Sequence, residues 1–163
     1  MSRAAMNAES GDTRARAVYD LAAGRVLASV DVPASPERVF RALIGDEVIR
    51  WWVNPGVFDT REWTAEARVG GRWRAAGVGR GQPYALEGEF LEVEEPRKLV
   101  HSWRSVGGPG QDSTVTYLLD SVPLGTHLTL RHEGFTDPAP CIRSCRGWES
   151  SLDALVRLFS ASH

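Results

Sequence analysis

A chain of 163 residues is long enough for one domain with a sizeable core and too short for two ordinary ones. With 42% hydrophobic and 25% charged residues it has the composition of a soluble globular protein, and a formal net charge of -2 provides no bulk attraction to nucleic acid or to an anionic membrane. No apolar run reaches bilayer length, the N-terminus lacks a secretory signal pattern, and two cysteines make no disulfide framework, so a cytoplasmic protein with no membrane and no nucleic-acid partner is expected.

Met1 to about Thr13 is small, polar and aperiodic. Residues 1–24 are therefore expected to form an N-terminal tail, partly disordered, with an extended segment within Ala15–Gly24, and residues 25–161 a single domain. In Arg25–Val32, Val26, Ala28, Val30 and Val32 alternate with Leu27, Ser29 and Asp31, the period of a half-buried strand. Pro33 ends it. Ser35 is a natural N-cap, and Pro36 fits the first helical position, where its missing N–H costs nothing. Val39, Phe40 and Leu43 give this helix an apolar face, and Gly45 stops it. Asp46 is placed to cap a second short helix through Val48 and Ile49, which leads to Trp51 and Trp52.

Six strands follow, at about 58–66, 71–78, 83–94, 97–105, 112–121 and 124–133. Turn residues separate them at Gly70-Gly71, Gly79-Arg80-Gly81, Glu95-Pro96, Gly107-Gly108-Pro109-Gly110 and Pro123-Leu124-Gly125. Such short connections predict an antiparallel meander. The adjacent apolar pair Phe90-Leu91 breaks the phase of strand 83–94 and marks a bulge. The last element starts at Asp137-Pro138. There Cys141, Cys145, Trp148, Leu152, Leu155 and Phe159 recur at steps of four and three, one continuous seam on a long helix.

A long amphipathic helix must bury its seam, and the concave face of a curved sheet is the available partner. Strand phase puts Trp73, Ala75, Leu99, His101, Trp103, Val115, Tyr117, Leu119, Leu128, Leu130 and His132 on that face. Large rings with polar tips fill a tapering space poorly, so a small-molecule pocket is expected between sheet and helix, the alternative being a packed core with no vacancy. Its expected lining is Trp51, Trp52, Trp73, His101, Trp103, Tyr117, Leu130, His132, Cys145, Trp148 and Leu152. Of the consecutive Trp51 and Trp52, one should pack inward and one shield the mouth.

Several fragments, in order, carry a family resemblance: VPASPERVF at Val32–Phe40, Trp51-Trp52, RVGGRW at Arg68–Trp73, GEFLEV at Gly88–Val93, PRKLVHSW at Pro96–Trp103, GTHLTLRHEGF at Gly125–Phe135, and Gly147-Trp148 followed by Leu152 and Leu155. Over about Arg25 to Phe159 the chain resembles homologues of the activator of heat-shock-protein ATPase, the Aha-like family of the START-like (SRPBCC) superfamily. That resemblance implies an α+β helix-grip fold. In it a seven-stranded antiparallel sheet wraps a long C-terminal helix, with two short helices after the first strand and a cavity for hydrophobic ligands.

His101 and His132 are either polar anchors or an acid–base pair for a ligand, or core histidines satisfied by backbone or by Tyr117. Cys141 and Cys145, at i and i+4, supply at most two of the three or four ligands zinc needs, so no metal is expected and the thiols read as packing residues. Gly77-Val-Gly-Arg-Gly81 lacks the helix and the Lys-Ser/Thr tail of a phosphate loop and reads as a hairpin turn. Ser102, Ser105 and Ser113 lie on no strand–turn–helix elbow, so nucleophilic catalysis has no support. No catalytic residue and no cofactor is assigned. The expected function is a small-molecule binding protein whose partner is a hydrophobic ligand. The alternatives are a cyclase- or dehydratase-like enzyme acting on a polyketide-like substrate in the same cavity, and a co-chaperone-like interaction module. A homodimer is left open. Lys98 is the sole lysine among many arginines, a bias that points to a GC-rich bacterial genome.

Overall fold

The structure, a computed structural model, describes residues 15–107 and 112–160. The expected disorder of Met1–Thr13 and the Gly108-Pro109-Gly110 part of one turn lie outside the described residues.

The described chain opens with two strands, β1 (Arg16–Asp20) and β2 (Arg25–Val32), and two short helices, α1 (Pro36–Ile44) and α2 (Val48–Trp51). Seven further strands then run in sequence: β3 (Val53–Asn54), β4 (Phe58–Ala65), β5 (Arg72–Gly79), β6 (Gln82–Glu94), β7 (Lys98–Ser105), β8 (Ser113–Val122) and β9 (Gly125–Glu133). The long helix α3 (Pro138–Ser160) closes the described chain. All nine strands form one antiparallel sheet in the order β1-β2-β9-β8-β7-β6-β5-β4-β3. Among the described residues the strands number nine, against the seven expected. β1 is the extended segment expected within Ala15–Gly24, and it pairs along its whole length with β2. β3, two residues long, is too short to show a period.

The alternation of each strand sets what it buries. β2 and β9 bury every second residue, and β5 buries Trp73 and Ala75 between exposed arginines. The phase break at Phe90-Leu91 is a register shift between β6 and β7, with Phe90 buried and Leu91 exposed. α3 lies against β1, β2, β3 and α2, so the curled sheet meets it near both of its edges. Every seam residue from Cys141 to Phe159 is buried.

Tryptophan side chains complete the backbone bonding of α1. Ser35 caps its start, accepting from the Arg38 N–H at 3.2 Å. At its end, where the last carbonyls have no helical partner, the Trp51 indole donates to Ala42 O at 2.8 Å and the Trp63 indole to Ile44 O at 3.1 Å. Asp46 does not cap α2 as expected. Glu47 holds the N-cap position without a side-chain cap bond, because its carboxylate takes both terminal nitrogens of Arg38, at 2.7 and 2.6 Å. That guanidinium holds the Glu47 carboxyl below the usual range.

Gly88 faces Trp73 across the β5–β6 pair, and the Trp73 indole passes over it to donate to Ser102 O on β7 at 3.0 Å. A Cβ at Gly88 would stand 2.0 Å from Ser102 O and 2.4 Å from the indole nitrogen. Gly88→Ala is therefore expected to destabilise the protein by at least ~3 kcal/mol, since backbone and a buried ring must both move. A urea midpoint unchanged from the parent would contradict this packing.

Candidate functional site

The deep interior is filled. Trp52 sits at the centre of a network in which the ring centroids of Trp51, Trp63, Trp73, Trp103 and Trp148 lie 6.0, 5.3, 5.6, 5.1 and 6.1 Å away. Most of these contacts are edge-to-face, the arrangement aromatic quadrupoles favour. His101 packs between Trp73, Phe90 and Tyr117, and its Nδ1 donates to Ser102 O at 2.9 Å.

An unfilled space lies to one side, beside the N-terminal half of α3. It is a cleft of about 1080 Å³, open to solvent at its mouth. Its floor is Trp52, Trp103 and Trp148, whose rings touch one another. Phe58 from β4, Leu86 from β6, and Phe135 after β9 form apolar walls. The Thr60 and Tyr84 hydroxyls, hydrogen-bonded to each other, and Ser113 supply polar wall groups. Burial pushes the Tyr84 phenol upward against the effect of that bond. Arg80, Arg104, Arg143, Arg146 and Asp137 stand at the exposed rim.

Of the expected lining residues, the structure brings Trp52, Trp103 and Trp148 to the cleft. Trp51, Trp73, His101, Tyr117, Leu130, His132, Cys145 and Leu152 are buried and do not line this cleft. The rings pack against one another in edge-to-face, tilted and stacked pairs. Trp51 and Trp52 are both buried, and Trp52 lines the cleft at its floor rather than at its mouth. Sequence reasoning missed Phe58, Phe135, Tyr84 and the arginine rim. One signal was available. Pro140, Ser144, Gly147 and Ser151 recur at steps of four and three beside the aromatic seam, and all four line the cleft. Small residues in that stripe leave the space between this helix face and Phe58 unfilled.

Behind the floor, His132 fixes the wall through both ring nitrogens. The Trp148 indole, which can only donate, donates to His132 Nδ1 at 3.0 Å. Nε2 must then carry the proton, and it donates to Ser113 Oγ at 2.8 Å. The Ser113 hydroxyl donates onward to Trp103 O at 3.3 Å. Burial pushes His132 down to about 3 and His101 down to about 4, with the neighbouring His101 adding to the effect on His132, so both rings are neutral at physiological pH. The buried Tyr117 hydroxyl has the Trp52 indole as its polar neighbour, and burial raises its pKa. Cys141 and Cys145 are free and buried, with burial raising both thiols. Among the described residues no group of three or more His, Cys, Asp and Glu is placed to hold a metal ion, and no helix is long and apolar enough to cross a membrane.

Comparison with known proteins finds that residues 33–160 match the family model described as activator of Hsp90 ATPase homolog 1-like protein. Among solved structures, CV1439 from Chromobacterium violaceum is similar at a TM-score of 0.77 with 26% identity over 85% of this chain and 99% of that one. Ms6760 from Mycobacterium smegmatis has a TM-score of 0.76 and 19% identity over 90% of this chain and 97% of that one. The AHSA1 (SPO3351) protein from Silicibacter pomeroyi has 0.71 and 23%, over 85% and 99%. No curated protein matches the sequence.

Proposed function

The chain belongs to the family of activator of Hsp90 ATPase homolog 1-like proteins, and from that premise we propose that it is a binding protein for an apolar small molecule held in the cleft between the sheet and α3. Ligand-binding and polyketide-cyclase-like proteins share this START-like fold, and both hold apolar molecules. The observation that carries the reading is the cleft itself: about 1080 Å³ of space over three indoles, walled by Phe58 and Phe135. Pockets of roughly that size with apolar walls and few polar groups are the usual form of a small-molecule site.

Binding without chemistry is favoured by how the nearby titratable groups are used. His132 spends both nitrogens on Trp148 and Ser113, so its ring orients the wall. A ring neutral down to about pH 3 is too weak a base to draw protons from a substrate near neutrality.

The test is native mass spectrometry of the purified full chain, together with calorimetric titration of the uncharged probe N-phenyl-1-naphthylamine. A co-purifying small molecule, or saturable binding of the probe at one site, is expected. A blocking variant ties the result to the cleft. A Cβ at Gly147 would meet only the Phe58 ring, at 3.5 Å, so a larger side chain there projects into the cleft without disturbing the core. Gly147→Leu should abolish probe binding while leaving stability unchanged or raised, since leucine is the better helix former. Undiminished binding to Gly147→Leu would rule out the cleft as the site.

A further inference from the structure

We propose that the ligand is an amphipathic anion, its apolar body on the indole floor and its carboxylate- or phosphate-type head against the arginines of the rim. This rests on the reading of the cleft as the ligand site and adds the ligand's charge. The chain as a whole has more acidic than basic residues, 21 against 19. At the cleft the balance inverts, with four arginines and a single carboxylate, Asp137. Arg104 is neutralised by Glu87, at 2.8 Å. Among the described residues, Arg80, Arg143 and Arg146 have no ion-pair partner, although eight ion pairs form away from the cleft. Cationic groups gathered around a low-dielectric cleft focus a positive potential at its mouth. Guanidinium groups are also suited to grip carboxylate and phosphate oxygens.

Arg80 adds a second, independent observation. Gly79 and Gln82 pair directly, so Arg80 and Gly81 form a two-residue hairpin turn, with φ of 52° and 77°. A turn with both central residues at positive φ favours asparagine or glycine at its first position. An arginine there carries a conformational cost from its Cβ, and Arg80 is the one described non-glycine residue with positive φ. The strained turn stands at the rim, and no carboxylate among the described residues pairs with Arg80.

The experiment compares two probes with one ring framework. 1-Anilinonaphthalene-8-sulfonate carries a negative charge that N-phenyl-1-naphthylamine lacks, and both are titrated calorimetrically against the full chain at low and high salt. The anionic probe is expected to bind ~10-fold more tightly at low salt, with the preference shrinking as salt rises. The double variant Arg143→Glu/Arg146→Glu, on the exposed helix surface, should erase or invert the preference. Arg80→Asn should lower the preference and raise Tm by about 2 °C, since it relieves the turn. Decanoate and decyl phosphate, titrated in the same way, distinguish the two head types. Equal affinities of the two naphthyl probes, or a preference that survives charge reversal, would overturn the anion assignment while leaving the cleft as an apolar site. Binding of neither probe would remove the ligand site itself, and the assignment with it.

Discussion

Acidification from pH 7 to 4 is expected to unfold the protein, and the two buried histidines are the main cause. In the folded state His101 titrates at about 4 and His132 at about 3, against an ordinary value of 6.5 once exposed. Both folded values are depressed, so unfolding takes up protons. The stability they contribute is complete above pH 6.5, falls as the pH drops below it, and is lost by about pH 3. At pH 4 the loss is on the order of 3 kcal/mol for each ring. Together these approach the ~5–15 kcal/mol that holds a typical domain folded. Glu47 and Glu87 also lose their arginine-stabilised charge in acid, but only below the carboxylate range. The interval from pH 6.5 to 5 therefore isolates the histidines. Linkage there predicts uptake of about two protons on unfolding near pH 5. Urea unfolding across this interval reads it directly. His101→Phe, which keeps a ring among Trp73, Phe90 and Tyr117, should remove about half of the slope. A flat profile from pH 7 to 5 would mean that the rings are hydrated, and the packed interior described above would be wrong.

Trp52→Ala should cost ~3–5 kcal/mol, the range for truncating a large buried aromatic. The residue is 4% exposed and its ring touches all five other indoles, so the neighbours cannot collapse into the void without giving up contacts with one another. The Tyr117 hydroxyl would also lose its polar neighbour. The same change removes the centre of the cleft floor, so affinity for N-phenyl-1-naphthylamine should fall with it. Trp52→Phe separates the two effects. It retains a ring at the floor and most of the stability, and probe binding measured in this folded variant should weaken only several-fold. A Trp52→Ala variant as stable as the parent would show that the ring network is slack.

Much of this architecture was legible because its signals are local. The valine alternation of β2, the Ser35-Pro36 start of α1 and the four-three spacing of the α3 seam each depend on a few neighbouring residues. Even the β6 irregularity announced itself through two adjacent apolar side chains. The cleft was less legible, because it is what remains after packing. Trp103 and His101 share a strand face, yet one borders solvent and the other is sealed among rings. That difference comes from the curl of the sheet, which no periodicity encodes. Phe135 lies in the connection after β9, where strand phase assigns no direction, and Phe58 is the first residue of β4, paired with Asn54 of a two-residue β3 too short to read. The buried histidines were expected on the inner face, but which atoms would satisfy them depends on pairing His132 of β9 with Ser113 of β8 and Trp148 of α3.

All six tryptophans of the chain belong to the one touching network around Trp52. Indoles this close exchange excitation, so light absorbed by the sealed Trp51 is expected to reach the floor rings Trp52, Trp103 and Trp148, and a quenching ligand seated there should dim emission beyond the rings it touches.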